Sequence, residues 1–134
     1  MAIPDFKELF TKYRTVAVVG LSPDPDKPSH EVAAYLQRAG FRIIPVNPAC
    51  REVLGEPCYP TLADVPGEVE IVDVFRRSEF VPEIVEQAIA KGAKVVWMQE
   101  GVVNEPAAAK AEEAGLAVVM DRCILKEHVK VASR

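Results

Sequence analysis

Apolar residues gather in short runs that are almost uninterrupted. They fall at about 15–20, 41–47, 69–75, 94–98 and 116–120, and Val, Ile and Leu dominate them. Strands buried on both faces have this composition, whereas strands with one face in water alternate apolar and polar residues. The pattern therefore predicts five strands in a parallel sheet that is covered by helices on both sides.

The segments between these runs have the helical period. Val32 and Leu36 share one face with their neighbours, as do Val81, Val85 and Ala88. Glycine follows the helical pattern and precedes the next strand at three places, 40, 92 and 115.

This alternation predicts an α/β, Rossmann-like three-layer fold, with strand order 3-2-1-4-5 if the crossovers are right-handed. A short helix is expected at about 5–12, and another at 105–114 behind Asn104. The segment 48–66 is expected to form a loop with a short helix at 61–65. We expect one domain over 1–134.

Composition narrows the class of protein. The chain has 134 residues, 49% hydrophobic and 27% charged, which is typical of a soluble globular domain. No apolar run approaches the ~20 residues that span a bilayer, and the N-terminus does not resemble a signal peptide. The net charge of −4 argues against a nucleic-acid partner.

The three cysteines are odd in number and not closely paired along the sequence. Cys50, Cys58 and Cys123 therefore favour a reducing, cytoplasmic location over a disulfide scaffold. Cys50 and Cys58 are also too far apart for a usual zinc knuckle, so we expect no metal site. We expect no membrane partner, and no protein partner can be identified.

In a sheet of this kind, ligands bind beyond the carboxyl ends of the strands, where the winding direction reverses. The first strand ends at Gly20-Leu21-Ser22, and Lys27 precedes the next helix, which we expect to begin near Ser29. A helix N-terminus there favours an anion. Ser22 and Pro25 replace two glycines of the G-x-G-x-x-G pattern, which indicates a nucleotide ligand other than NAD.

The second strand ends at Val46-Asn47-Pro48. A NAD enzyme usually has an acidic residue here for the ribose hydroxyls, whereas Asn47 is neutral. Arg51 follows and is a candidate for a phosphate on the ribose. The alternative interpretation of Asn47-Pro48 is a simple turn.

The third strand ends at Phe75-Arg76-Arg77, which predicts a compact positive site with an aromatic neighbour. A solvated basic turn is the alternative. Gln99 and Gly101 follow the fourth strand. Cys123 follows the fifth, either as a small buried residue or as a thiol that faces a ligand.

Together these segments resemble the CoA-binding domain family, the stand-alone relatives of the N-terminal domain of the succinyl-CoA synthetase α subunit. The resemblance extends from about Arg14 to Glu127, and its matching segments are 18–22, 45–48, 95–101 and 119–123. It implies a Rossmann-like fold that binds coenzyme A, or an acyl-CoA, at the strand ends.

The resemblance also implies a role for each matching position. Gly20, Leu21 and Ser22 would lie on the ADP portion, and Lys27 is on the same loop. Val46, Asn47 and Pro48 would border the adenosine. Phe75, Arg76 and Arg77 would lie near the phosphates or the pantetheine arm, with Gln99 and Gly101 on the far side.

The resemblance, together with the positions at which this sequence departs from the family, leads to three candidate functions. The synthetase uses a phosphorylated histidine, and neither His30 nor His128 matches its position, so we expect a CoA-binding protein without catalysis of its own and without catalytic residues. One alternative is a CoA-dependent thiol-exchange or acyl-carrier enzyme that uses Cys123. Another is a NAD(P)-binding redox protein.

Overall fold

Seven strands are present in the computed structural model, which describes residues 3–132. Five of them form one parallel sheet, and the short third and fourth strands form a separate antiparallel hairpin. In chain order the strands are β1 (Thr15–Val19), β2 (Arg42–Val46), β3 (Glu52–Val53), β4 (Glu56–Pro57), β5 (Ile71–Val74), β6 (Val95–Met98) and β7 (Ala117–Val119).

Helices cover both faces of the sheet. They are α1 (Phe6–Lys12), α2 (Pro28–Arg38), α3 (Val81–Ala90), α4 (Glu105–Glu113) and α5 (Ile124–Ala132). The first, second and fifth pack on one face, and the third and fourth pack on the other with a 3-10 helix at Leu62–Asp64. The predicted three-layer α/β architecture is confirmed.

The order of the strands corrects the prediction. The sheet runs β2-β1-β5-β6-β7, so the third strand of the parallel sheet lies beside the first and not outside the second. Pro45 explains why β2 is at the edge: proline has no N–H for a further strand, and its carbonyl oxygen accepts from the Tyr59 N–H at 3.0 Å on the outer side. All four residues of β5 are buried, as a central strand requires.

This order moves the point at which the winding direction reverses. The chain passes from β2 back across the sheet to β5, so the reversal lies between β1 and β5. A ligand crevice is expected at that point, beyond the carboxyl ends of these two strands.

The C-terminal segment also differs from expectation. The elements predicted from the sequence end with the strand at about 116–120, whereas the residues around His128 form a further helix, α5. His128 Nδ1 lies 2.6 Å from the Tyr35 hydroxyl, and its ring packs edge-on against Phe10 and Phe41. Burial lowers the pKa of His128, and the charge of Arg14 lowers it further.

The hairpin after β2 brings two cysteines together that are separate in sequence. Cys50 and Cys58 flank β3 and β4, and their sulfur atoms lie 3.0 Å apart. Cys50, Cys58 and Cys123 are all free thiols, as expected, although the fold brings the first two into contact. Over residues 3–132, no helix is long and apolar enough to cross a membrane.

Candidate functional site

Two chain turns meet at the reversal point. Gly20 has φ +92°, and a Cβ atom built there would lie 2.4 Å from the carbonyl oxygen of Phe75. The side chain of Arg76 also crosses Gly20, since its Cδ would lie 3.1 Å from the same Cβ. We expected Gly20 to permit close approach of a ligand; the atoms that approach it are those of the turn after β5.

Leu21 and Asn47 are joined by a hydrogen bond. The Leu21 side chain is fully buried in the core, and its carbonyl oxygen accepts from Asn47 Nδ2 at 2.9 Å. Asn47 Oδ1 in turn accepts from the Ala49 N–H at 2.8 Å, which makes a turn at the end of β2. Asn47 thus forms a turn, as the simple-turn alternative proposed, and also holds the ends of β1 and β2 together.

The loop before α2 is fixed by its own polar groups. The Ser22 N–H donates to Ser29 Oγ at 3.0 Å, and Ser22 Oγ accepts from the Asp24 N–H. His30 Nδ1 lies 3.0 Å from the Ser22 carbonyl oxygen. Lys27 is exposed at the N-cap of α2, and Ser29, which we expected at the start of this helix, is buried within its first turn.

A cleft of about 500 Å³ opens beside these turns, beyond the ends of β5 and β6. The first turns of α2 form one wall, and the segments after the two strands form the others. Its lining is Pro28, Val32, Phe75, Arg76, Arg77, Gln99, Glu100, Gly101, Val102 and Cys123.

The cleft brings together part of the predicted set. Phe75, Arg76, Arg77, Gln99 and Gly101 all line it. The other predicted residues, Gly20, Leu21, Ser22, Lys27, Val46, Asn47 and Pro48, are outside this lining. Among these, Leu21 and Val46 are core residues whose side chains are buried.

The side chains of the two arginines differ in how firmly they are held in place. The guanidinium of Arg76, which is half-buried, lies 4.4 Å from the centre of the Phe80 ring. Arg77 is largely exposed, and its Nε lies 3.3 Å from Glu79 Oε1. The Arg77 guanidinium also lies over the Phe80 ring, 5.3 Å from its centre. Arg76 is closer to the ring and less exposed, so it is the better oriented cation in the cleft.

Gln99 and Gly101 both connect β6 with the start of α5. Gln99 is buried, and its Oε1 accepts from the Ile124 N–H at 3.1 Å, which caps the helix. The Gly101 N–H donates to Asp121 Oδ1 at 2.7 Å. We expected the Gln99 side chain to meet a ligand; its oxygen is bound to the backbone.

Five residues of the cleft lining were not among the predicted binding residues: Pro28, Val32, Glu100, Val102 and Cys123. Pro28 was placed in the loop before the helix, Val32 was assigned to the buried face of the helix, and Cys123 was weighed only as an alternative thiol. Cys123 is buried and, with Glu100, also lines a neighbouring cavity of about 670 Å³ beside α5.

Comparison with known proteins identifies the family. A sequence model described as a CoA binding domain matches residues 14–129. The chain belongs to the CoA-binding domain family.

Relatives of this CoA-binding domain are both small proteins and large enzymes. The uncharacterized protein YneT of Bacillus subtilis is 44% identical over 124 residues, which are 92% of each chain. Acetate–CoA ligase [ADP-forming] II of Archaeoglobus fulgidus is 36% identical over 94 residues, which are 69% of this chain and 14% of the ligase.

Among solved structures, a hypothetical protein from Pyrococcus horikoshii OT3 superposes with a TM-score of 0.92 at 45% identity. The match covers 95% of this chain and 89% of that one. The predicted family is confirmed.

The sheet of this CoA-binding domain contains a fully buried acid. Asp73 of β5 is fully buried between Val18 and Trp97 of the adjacent strands. Neither carboxyl oxygen has a hydrogen-bond partner among the residues that the structure describes. Burial raises the pKa of Asp73 well above its usual value, so the carboxyl group is favoured in its neutral form.

Proposed function

We propose that this protein binds coenzyme A or an acyl-CoA in the cleft beyond β5 and β6. The observation that carries the proposal is the position of Arg76, which faces the first turn of α2 across a cleft at the reversal point of the sheet. A guanidinium and a helix N-terminus both attract phosphate, and CoA carries a pyrophosphate and a 3′-phosphate.

The phosphates bind Arg76 and Arg77, and the exposed Lys27, which precedes Pro28 of the cleft wall, adds a third positive charge. The adenosine lies beside Asn47 and Pro48, where Arg51 is exposed. Charge-assisted contacts to phosphate contribute about 1.5–3 kcal/mol each. Two or three of them, with burial of the adenine, support micromolar affinity, about −8 kcal/mol.

Titration calorimetry tests this proposal with a matched pair of ligands. CoA is expected to bind more tightly than 3′-dephospho-CoA, since only the former has the phosphate on the ribose. Equal affinities would remove the basis for assigning basic residues to that phosphate. NADH is the third ligand, and tighter binding of NADH than of CoA would revive the NAD(P) alternative.

The protein has no catalysis of its own in this proposal. Neither histidine of the chain lines the cleft: His30 contacts the Ser22 carbonyl oxygen, and His128 packs against Phe10 and Phe41. Purified protein is therefore expected to leave acetyl-CoA intact. Turnover of acetyl-CoA that scales with protein concentration would contradict this. The cytoplasmic location stays a prediction.

Thiol exchange at Cys123 is a second candidate function, because this thiol lines the same cleft. Attack of the Cys123 thiolate on CoA disulfide would form a protein–CoA mixed disulfide and release one CoA thiol. Intact-mass spectra of the wild type and of Cys123→Ala decide the matter. An adduct that is absent from the variant supports exchange, and its absence from both removes this candidate.

A further inference from the structure

The hairpin of β3 and β4 fixes the relative position of Cys50 and Cys58. Leu54 and Gly55 connect its strands, both with positive φ, of 56° and 77°. Two residues of this conformation make the tight turn that suits antiparallel strands. Gln37 Nε2 donates to the Leu54 carbonyl oxygen at 3.0 Å, which holds the turn against α2.

A backbone hydrogen bond also joins the two strands of the hairpin at the end opposite the turn. The Cys58 N–H donates to the Arg51 carbonyl oxygen at 2.8 Å, which continues the strand pairing by one residue. Both sulfur atoms face the Asn47 carbonyl oxygen, that of Cys58 at 3.4 Å and that of Cys50 at 4.0 Å. The pair is therefore held by backbone contacts on each side.

The sulfur atoms are 3.0 Å apart, and a disulfide bond is about 2.05 Å long. Bond formation thus requires an approach of about 1 Å. Both residues are only half-buried, so a small reagent can reach them. The third cysteine, Cys123, lines the cleft and follows β7, which lies at the opposite edge of the sheet from β2.

The two thiols are not equivalent. Burial, followed by the hydrogen bond and the charge of the adjacent Cys50, together raise the pKa of Cys58 to about 12. Cys58 consequently stays protonated in the reduced pair. Since the thiolate is the nucleophile, Cys50 is the residue that reacts first.

We propose that Cys50 and Cys58 form a redox-active dithiol that small-molecule disulfides oxidise to an intramolecular disulfide. The Cys50 thiolate attacks one sulfur of the small disulfide, whose S–S bond breaks and releases one thiolate. A mixed disulfide then joins Cys50 to the remaining half.

The second step completes the oxidation. Once Cys50 is in the mixed disulfide, its charge and hydrogen bond no longer raise the pKa of Cys58. Burial still raises that pKa, so the second step depends on the short distance between the two sulfur atoms, which makes the attack intramolecular. Cys58 loses its proton to solvent and attacks the Cys50 sulfur, which releases the second thiolate. The protein loses two electrons and two protons, and the small disulfide becomes two thiols. This reaction is independent of CoA binding.

Oxidised glutathione is a suitable probe for the full reduced chain. After acid quench and alkylation of free thiols, mass spectrometry is expected to find one alkylated cysteine, Cys123, and a peptide in which Cys50 is linked to Cys58. The variant Cys123→Ser is the matched control and is expected to form the same bond.

The single variants test the order of the steps. Cys58→Ser is expected to accumulate a mixed disulfide with glutathione at Cys50, whereas Cys50→Ser is expected to react at Cys58 at least 10-fold more slowly. Equal rates in the two variants would overturn the assigned order.

The chain unfolded in guanidinium chloride tests the role of the fold. The intramolecular bond is expected to form at least 10-fold more slowly there than in the folded protein. Three free thiols after treatment of the folded chain, a bond that includes Cys123, or equal rates in the two states would overturn the proposal.

Discussion

The backbone of Gly20 lies directly against the carbonyl oxygen of Phe75, with only 2.4 Å available to any Cβ atom. This contact joins the turn after β1 to the turn after β5, which are the two strands at the reversal of the sheet. Phe75 and Arg76 line the cleft, so the position of this wall depends on a residue at which no side chain fits.

Gly20→Ala is the direct test of this contact. The variant must displace backbone atoms and also adopt φ +92°, so we expect a loss of about 2–4 kcal/mol in the free energy of unfolding. Chemical denaturation measures it.

Gly92→Ala is the matched control, because Gly92 has φ +72° but open space around its Cβ position. Only the backbone cost of about 1–2 kcal/mol is expected there. Equal losses in the two variants would show that the Phe75 contact does not matter.

Much of this fold could be predicted from the sequence, and the predictions that were wrong have physical causes. The central strands are apolar throughout because both faces are covered, which is why β5 and β6 could be located. Pro45 indicated that β2 is an edge strand, because proline has no backbone N–H to donate to a further strand. The predicted strand order was based on the handedness of the connections and did not take this missing donor into account. For α5, the charges of Lys126 and Lys130 hid the buried face that Ile124 begins.

The residues of the candidate site could be predicted where they come directly after a strand in the sequence. Phe75, Arg76 and Arg77 meet Gln99 and Gly101 because adjacent parallel strands end at one edge. Contacts across the fold were not predictable in this way. The Cys50–Cys58 pair depends on Leu54 in a left-handed conformation, which is uncommon for leucine and has no sequence signal.

Asp73 is expected to make the stability fall as pH rises. Its pKa in the folded chain is raised above the ordinary value of 3.8, so its unfolded form releases the proton first. The resulting loss begins near pH 4 and continues to the raised pKa, with a limiting slope of about 1.4 kcal/mol per pH unit. Asp73→Asn removes this slope. Parallel pH profiles of the two proteins, measured by urea denaturation, would contradict the assignment.

His128 has the opposite effect on acid stability. Because its pKa is lowered by burial, the unfolded chain takes up a proton first, and stability is lost as pH falls below about 6.5. His128→Gln is expected to be less stable at neutral pH, since it loses the ring contacts with Phe10 and Phe41. Its stability is also expected to change less than that of the wild type between pH 7 and 5. Thermal denaturation across this range measures the slope, and an unchanged slope would refute the prediction.

Arg76→Gln is expected to weaken CoA binding by about 10- to 150-fold, the loss of one charge-assisted contact of about 1.5–3 kcal/mol. Calorimetry measures the effect, and circular dichroism checks that the variant is folded. Arg38→Gln is the control, because Arg38 is exposed at the opposite end of α2. Similar affinities for the two variants would exclude Arg76 from phosphate binding.

A crystal structure of the complex with coenzyme A tests the proposed site most directly. The phosphates are expected within hydrogen-bond distance of Arg76 and the first turn of α2, with the thiol end directed toward Cys123. A cleft that stays empty while the ligand binds elsewhere, or does not bind at saturating concentration, would contradict the proposal.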